Sequence, residues 1–279
     1  MNKWIKKLTA VVTPLVLAAG VVAPLATATA AEPTKVKLGL VGEDTDVWDN
    51  VKERLAKDGI EIEYVKFTEY SQPNAALADG SIDLNAFQHQ IFLDSYQEEH
   101  KTDLVSIGNT VNAPLGIYSK KIKDVKELKE GDTVAIPADP TNGGRALRLL
   151  QTAGLIKVDE AKGYKPTVSD IKENKLNLNI KELEASQTAR ALDDVAVSVI
   201  NSGVATDAGL TPAKDSIFLE PVDQTSKPYV NIIVARKADE NNETYKKVVD
   251  AYQTEETKKV IEEKYKGSLL PAWETFGKK

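Results

Sequence analysis

Two long extended segments interrupt an otherwise regular alternation of strand-like and helix-like stretches. The first, LVSIGNTVNAPLGIYS, covers residues 104–119, and the second, PYVNIIVAR, covers residues 228–236. Strands that alternate with helices on either side of these segments are typical of an α/β fold with parallel strands. Because an extended segment of this length can pass between two lobes, we expect two α/β lobes, joined by two crossing strands, with a cleft between them.

The two lobes use different parts of the chain. Lobe 1 is predicted from residues 34–113 plus 232–279, and lobe 2 from residues 118–224, with hinge segments at about 113–118 and 225–232. Each lobe is expected to hold a central sheet flanked by helices. Apolar periodicity and turn residues predict strands at 35–42, 60–67, 82–87, 133–138, 176–184 and 195–200, and helices at 46–59, 71–80, 142–154, 186–194, 245–252 and 256–265.

The first residues are typical of a secretory signal peptide. Lysines near the start precede an apolar stretch at about 8–25, and the small residues of ATATAAEP follow at 26–33. Residues 1–30 are therefore predicted to be a signal peptide that directs export to the periplasm or the outer face of the cell membrane. An uncleaved membrane anchor is the alternative, although proline and glycine interrupt the apolar stretch.

Composition excludes several classes of site. The chain contains no cysteine, only two histidines and a formal net charge of −6. Without cysteine there is no thiolate metal site, no thiol catalysis and no lipobox cysteine, so we expect an exported protein that is not lipidated there. Two histidines are too few for a histidine-rich metal site, and an acidic chain is not expected to bind nucleic acid. We expect no metal and no cofactor.

The stretch DPTNGGR at 139–145 suggests a site for one carboxylate. Thr141 or Asn142 can cap the helix that follows, and two glycines allow a close approach to its backbone. The amide groups and positive dipole end of a helix start favour an anion. Arg145 adds a planar fork that matches a carboxylate. Alternatively, the glycines only shape a turn and Arg145 is a solvated surface charge.

An aromatic group lies in and before the stretch NAFQHQIFLDSY at 85–96. A neutral imidazole among aromatic rings suits an apolar group such as a thioether, although the local pattern alone favours a core cluster in which His89 is simply hydrogen-bonded. Two asparagines are further candidates: one follows the apolar strand 195–200, and the other interrupts the second crossing segment and needs a partner if it is buried. The candidates are Tyr70, Phe87, His89, Phe92, Asn201 and Asn231.

Catalysis has little support in the sequence. The chain contains no G-x-S-x-G, H-E-x-x-H or C-x-x-C motif. An exported hydrolase that uses His89 as its base is the alternative from a different functional class, but it needs a nucleophile that the surrounding motif does not supply. We therefore expect a binding protein and not an enzyme.

Five stretches together resemble one protein family. These are YSQPNAAL, NAFQHQIFL, AIPADPTNGGRALRLLQTAGLI, ENKLNLNIKELEASQTARALDDVAVSVIN and PYVNIIVAR, and the resemblance extends from about Lys35 to Trp273. They resemble the NlpA/MetQ family of methionine-binding proteins, which supply ABC importers. The resemblance implies a type II periplasmic-binding-protein fold with a methionine pocket between its lobes. It also implies that Arg145 binds the ligand carboxylate, that Asn201 and Asn231 hydrogen-bond its head group, and that Tyr70, Phe87, His89 and Phe92 surround its thioether.

The function implied is an extracytoplasmic solute-binding protein that captures L-methionine and delivers it to an ABC importer. Its partners would be the ligand and the permease with its ATPase, with membrane contact through the permease, and the protein would be a monomer. The chain departs from the family pattern at Phe92, where relatives carry tyrosine, and at SGVATDAGL (202–210), where Gly203 and Val204 make the pocket edge smaller and more apolar. D-methionine, a methionine-containing dipeptide or another apolar amino acid therefore stay alternatives, as does an adhesin or signalling protein that has lost transport.

Overall fold

Strands and helices alternate along the chain in the computed structural model, which describes residues 32–279. The predicted signal peptide, residues 1–30, lies outside this range, and Pro33–Lys279 form one compact unit. The strands are β1 (Thr34–Val41), β2 (Ile60–Phe67), β3 (Leu84–Asn85), β4 (Leu104–Asn112), β5 (Gly116–Tyr118), β6 (Thr133–Pro137), β7 (Lys157–Val158), β8 (Ile171–Glu173), β9 (Asn179–Leu183), β10 (Val197–Ile200), β11 (Phe218–Leu219), β12 (Val230–Arg236) and β13 (Leu270–Pro271). The α-helices are α1 (Asp46–Lys57), α2 (Gln72–Ala78), α3 (Gln90–His100), α4 (Pro140–Thr152), α5 (Ser202–Asp207), α6 (Pro212–Asp215), α7 (Glu243–Tyr252), α8 (Glu255–Tyr265) and α9 (Ala272–Phe276).

The first sheet has the strand order β13-β4-β12-β3-β1-β2. Strands β2 and β3 both run parallel to β1, where Leu38 lies opposite Tyr64 on one side and Leu84 on the other. Helix α1 packs its buried Val51 and Leu55 into the same apolar core as β1. Because β1 and β3 are parallel, their carboxyl ends lie at one edge of the sheet, and the loops that follow them meet there.

The second sheet has the order β11-β5-β10-β6-β9. Its strands β6, β9 and β10 are parallel, whereas β5 pairs antiparallel with β10. All four residues of β10 are buried, as expected for an apolar strand inside a parallel sheet. The carboxyl ends of β6 and β10 lie at the same edge, which brings the start of α4 close to Asn201. This mixed α/β arrangement of two sheets with flanking helices confirms the predicted fold class.

The two extended segments connect the two sheets. Strand β4 ends at Asn112 in the first sheet, and β5 begins at Gly116 in the second. The first segment is therefore not one continuous strand, and it breaks at Pro114, which lacks a backbone N–H for a sheet ladder. The return passes from β11 through a 3-10 helix, Gln224–Tyr229, into β12. The lobe and hinge boundaries given above stay a prediction.

One predicted helix is wrong in type. Residues 186–194 form two short 3-10 helices, Ala185–Gln187 and Arg190–Asp193, and no α-helix. Side chains occupy the carbonyls that an α-helix would use, because Thr188 Oγ1 donates to Ala185 O at 2.7 Å and Ser198 Oγ donates to Thr188 O at 2.7 Å. Such local side-chain bonds compete with the α-helical ladder.

Candidate functional site

A cavity of about 180 Å³ lies where the two sheets face each other. Its volume is below the roughly 300–1,000 Å³ of drug-sized pockets, and so it suits one small molecule. Residues that follow β3 and β10, together with positions on α3, α4 and β12, form its wall. All seven candidate residues from the sequence line it: Tyr70, Phe87, His89, Phe92, Arg145, Asn201 and Asn231.

One side of the cavity is an aromatic wall, which we define as Tyr70, Phe87, His89 and Phe92. The rings of Phe87 and Phe92 meet edge to face with their centroids 5.7 Å apart, and the Tyr70 and Phe87 centroids are 6.0 Å apart. Loss of hydration raises the pKa of the Tyr70 phenol, which therefore stays neutral. The wall offers polarizable faces to an alkyl or thioether group.

His89 is a neutral, buried N-cap. Its Nδ1 accepts a hydrogen bond from the backbone N–H of Phe92 at 3.1 Å, at the start of α3. Its Nε2 lies 3.3 Å from Asn142 Oδ1, so the proton must be on Nε2, which donates to that oxygen. Burial, followed by the positive charge of Arg145, lowers the pKa of His89 to about 3. Both ring nitrogens are engaged and the ring is uncharged, which argues against a role as a catalytic base.

The helix start that the sequence suggested as an anion site is already occupied by the protein. Asp139, and not Thr141 or Asn142, is the N-cap of α4, and its Oδ1 accepts from the backbone N–H of Asn142 at 2.9 Å. The glycines allow another part of the backbone to pack closely against the helix. A Cβ on Gly144 would lie only 2.6 Å from Tyr164 O. Pro140 at the first helical position was the sequence signal for this cap.

Asn142 joins the two sides of the cavity, a role that the sequence analysis missed. Its amide nitrogen donates to Asp139 Oδ2 at 2.9 Å, which fixes the orientation of the side chain. Its Oδ1 then accepts from His89 Nε2 and, at 2.8 Å, from Asn201 Nδ2. We define Asn142, Arg145 and Asn201 as the polar wall. The sequence signal for Asn142 was its position three residues before Arg145, which places both side chains on the same helix face.

Arg145 is buried, with its side chain only 3% exposed, and is paired with Glu220. Its Nε donates to Glu220 Oε1 at 2.9 Å, and its Nη2 donates to the same carboxylate and, at 3.0 Å, to Ala113 O. The guanidinium also lies 4.3 Å from the centre of the Tyr229 ring. Among the described residues, no hydrogen-bond acceptor pairs with Arg145 Nη1, so this donor stays available. Glu220 was not a candidate from the sequence.

Asn201 brings an unpaired acceptor to the cavity. Its Nδ2 donates to Asn142, but its buried Oδ1 has no hydrogen-bond partner in the part of the chain that the structure describes. An unpaired buried acceptor costs about 1–3 kcal/mol, so a donor from a ligand would be stabilised there. Asn231, on β12, is half-buried, and its backbone forms an isolated bridge with His89.

The far edge of the cavity combines an open glycine position with a carboxylate. A Cβ on Gly203 would meet no atom within 4 Å, so that position is open. Asp207 lines the cavity, and its Oδ1 accepts a hydrogen bond from the backbone N–H of Glu43 at 3.2 Å. Glu43 follows β1, so this bond connects Asp207 to the first sheet. Burial raises the pKa of Asp207. Asp207 thus adds a carboxylate to this edge beside the open position at Gly203, and the expectation that Gly203 and Val204 make the edge smaller and more apolar than in relatives stays a prediction.

Residues 36–273 match the family described as NlpA lipoprotein. The D-methionine-binding lipoprotein MetQ of Escherichia coli (strain K12) is 46% identical over 247 residues, which cover 87% of this chain and 90% of that protein. A nutrient-binding protein from Burkholderia cenocepacia, solved bound to methionine, is similar with a TM-score of 0.81 and 43% identity, over 85% of this chain and 99% of that one. The substrate-binding protein of a methionine transporter from Streptococcus pneumoniae has a TM-score of 0.81 and 45% identity, over 86% and 96% of the two chains.

These relatives confirm the type II periplasmic-binding-protein fold. The family and its near relatives are substrate-binding transport proteins, so the prediction of a binding protein and not an enzyme is also confirmed. Within residues 32–279, no cluster of three or more His, Cys, Asp or Glu side chains could hold a metal ion. None of the helices in that same range is long and apolar enough to span a bilayer.

The prediction of an exported protein without a lipid anchor is wrong. Both the family description and the name of the Escherichia coli relative identify lipoproteins. That prediction rested only on the absence of cysteine from the sequence, and a missing residue type does not determine how a protein is held at a membrane. With the family match over nearly all of the described residues, the conclusion is that this chain belongs to the NlpA lipoprotein family.

Proposed function

We propose that this protein captures L-methionine in the cavity and delivers it to an ABC importer. The observation that supports this most directly is the set of unused polar groups on the polar wall. Nη1 of Arg145 offers a donor to a carboxylate, and the buried Oδ1 of Asn201 needs a donor such as an ammonium group. An amino acid carries both groups on one carbon atom.

The side chain of the ligand would lie against the aromatic wall. Edge-to-face rings and a neutral imidazole present no full charge, so the wall favours an uncharged side chain. Sulfur–aromatic contacts contribute about 0.3–1.5 kcal/mol each, which favours a thioether over a hydrocarbon chain of equal length. Methionine combines this side chain with the required head group.

Contacts between the two sides of the cavity suggest that ligand binding would stabilise a closed form. Asn142 meets His89 across the cavity, and Ser186 Oγ donates to Glu69 Oε1 at 2.7 Å at the rim. A ligand that contacts both sides favours the arrangement in which these contacts form. We propose that this closed form is the one that docks on the permease, which works with its ATPase.

Calorimetry on protein from which bound ligand has been removed by unfolding and refolding tests the function. L-methionine should bind with the highest affinity in a panel that also contains D-methionine, glycyl-methionine, leucine and norleucine. Mass spectrometry of ligand that co-purifies with native protein provides an independent check. Tighter binding of D-methionine or of the dipeptide would change the proposed ligand, and no binding of any of them would overturn the function.

A further inference from the structure

Glu220 holds Arg145 in place from outside the cavity. Arg145 lines the cavity wall, whereas Glu220 comes directly after β11, in a different part of the chain. Antiparallel pairing sets Leu219 opposite Gly116, and Glu220 N donates to Leu115 O at 2.9 Å. The carboxylate therefore reaches Arg145 from a position fixed by the second sheet.

The Glu220 carboxylate has two partners. Its oxygens accept from Nε and Nη2 of Arg145, and Oε2 also accepts from the backbone N–H of Leu115 at 3.0 Å. The Glu220 side chain is only 15% exposed, and that of Arg145 is 3% exposed. Because both charged groups are largely shielded from water, the charge of each one acts strongly on the other.

This pairing changes what Arg145 can offer a ligand. Glu220 occupies the Nε and Nη2 edge of the guanidinium, one of its two edges that can bind a carboxylate with two parallel hydrogen bonds. On the other edge, Nη2 already donates to Ala113 O, so only Nη1 is left. The positive charge is also compensated before any ligand arrives. Two further carboxylates line the cavity: Asp44, which accepts from the Tyr265 hydroxyl at 2.7 Å, and Asp207. The surroundings of the ligand thus carry no surplus positive charge.

We propose that Glu220 is a specificity-determining residue, which makes the cavity select ligands with no net negative charge. This inference rests on the proposed function. A zwitterion adds an ammonium group that balances its carboxylate, whereas an anion would add charge to a site that is already neutralised. Glu220 acts through Arg145 and contacts no ligand, so it is a positioning residue with an electrostatic effect.

Three probes that share the methylthio side chain test this directly. L-methionine is the zwitterion, 4-(methylthio)butanoate lacks the ammonium group, and 3-(methylthio)propylamine lacks the carboxylate. In wild type the amine should bind more tightly than the butanoate. In Glu220→Gln, the ratio of butanoate affinity to methionine affinity should rise by roughly tenfold. The ratio of amine affinity to methionine affinity should fall. Both changes follow because the removed negative charge acts at close range in a low dielectric.

Two variants control the measurement. Glu220→Asp keeps the charge, so its ligand ratios should equal those of wild type even if every affinity decreases. Glu173→Gln removes a carboxylate on the separate two-stranded sheet and should leave the affinities for all three probes unchanged. If Glu220→Gln shifts all three ligands by one common factor, or wild type prefers the butanoate to the amine, the inference is overturned. Failure of wild type to bind methionine would instead overturn the proposed function.

Discussion

The two walls of the cavity are built in opposite ways. The aromatic wall comes from residues 70–92, and its central contact joins His89 to Phe92 three positions further on. The polar wall depends on partners that are distant in the chain: Arg145 pairs with Glu220 75 positions away, and Asn201 reaches Asn142 59 positions away. The aromatic wall is thus a local structure on one sheet edge, whereas the polar wall exists only when the whole fold is formed.

This difference predicts unequal sensitivity to mutation. A local wall tolerates small changes because its backbone contacts survive the loss of a side-chain atom. A wall that depends on a buried ion pair and on paired amides does not, because removal of one partner leaves the other unpaired in a low dielectric. The largest effects should therefore come from Arg145, intermediate effects from His89, where the two walls meet, and the smallest from Phe92.

Arg145→Ala should have the largest effect. Methionine binding should weaken by about 2–5 kcal/mol, and the free energy of unfolding should also decrease, because Glu220 is left buried without its counter-ion. Calorimetry gives the first quantity and urea unfolding the second. Arg148→Ala is the matched control, since Arg148 lies on the same helix but bonds to Gly163 O at 2.9 Å.

A double variant separates binding from folding in this experiment. Arg145→Leu combined with Glu220→Leu removes both charges, and such replacements of a buried ion pair are often neutral for stability. Stability should return toward that of wild type while methionine binding stays lost. Recovery of binding together with stability would show that Arg145 serves only the fold, and the contrast between the walls would then disappear.

His89 should make stability depend on pH in a defined window. Its pKa is lowered from 6.5 in the unfolded chain to about 3 in the folded one, so below pH 6.5 the unfolded state binds the extra proton. Stability must therefore fall as the pH decreases from 6.5 toward 3, by about 1.4 kcal/mol for each pH unit. From pH 7 to pH 5 the loss that is due to His89 should be about 2 kcal/mol.

Urea unfolding of wild type and His89→Gln at both pH values measures this loss. The variant should lose less stability than wild type between pH 7 and pH 5, because glutamine does not titrate and can still bond to Asn142. His100→Gln, which changes an exposed histidine outside the cavity, is the control. Equal pH dependence in wild type and His89→Gln would mean that the imidazole accepts a proton in the folded state, and its neutral role would be wrong.

The same contrast explains which features could be predicted from the sequence. Tyr70 follows the end of β2, and Phe87, His89 and Phe92 follow the end of β3 at the same sheet edge, so periodicity places them there without knowledge of distant partners. Arg145 was identified because a glycine pair and candidate capping residues mark the start of its helix and its planar fork matches a carboxylate. Glu220 and the link from Asn142 to Asn201 carry no local pattern, since each depends on strand pairing between separate parts of the chain. The 3-10 helices after Glu184 were missed for the related reason that Ser198, on a later strand, takes a helical carbonyl.

Phe92→Tyr should have the smallest effect, and it tests whether the aromatic wall selects by shape or by polarity. The backbone N–H of residue 92 still donates to His89 Nδ1 in the variant, so the imidazole keeps its orientation. The added hydroxyl lies on a ring that already packs in T-shaped contacts with Phe87 and Tyr70, and a thioether sulfur is only a weak acceptor for it. Methionine affinity should therefore change by less than about tenfold, or about 1.4 kcal/mol.

Norleucine, which replaces the sulfur by a methylene, is the matched ligand for this variant. If the wall selects by shape, calorimetry should give the same ratio of methionine to norleucine affinity in Phe92→Tyr as in wild type. A rise of more than tenfold in that ratio would mean that a single hydroxyl on the aromatic wall recognises sulfur. Both walls would then recognise the ligand through polar groups, and the contrast between a locally formed aromatic wall and a polar wall that depends on distant partners would not hold.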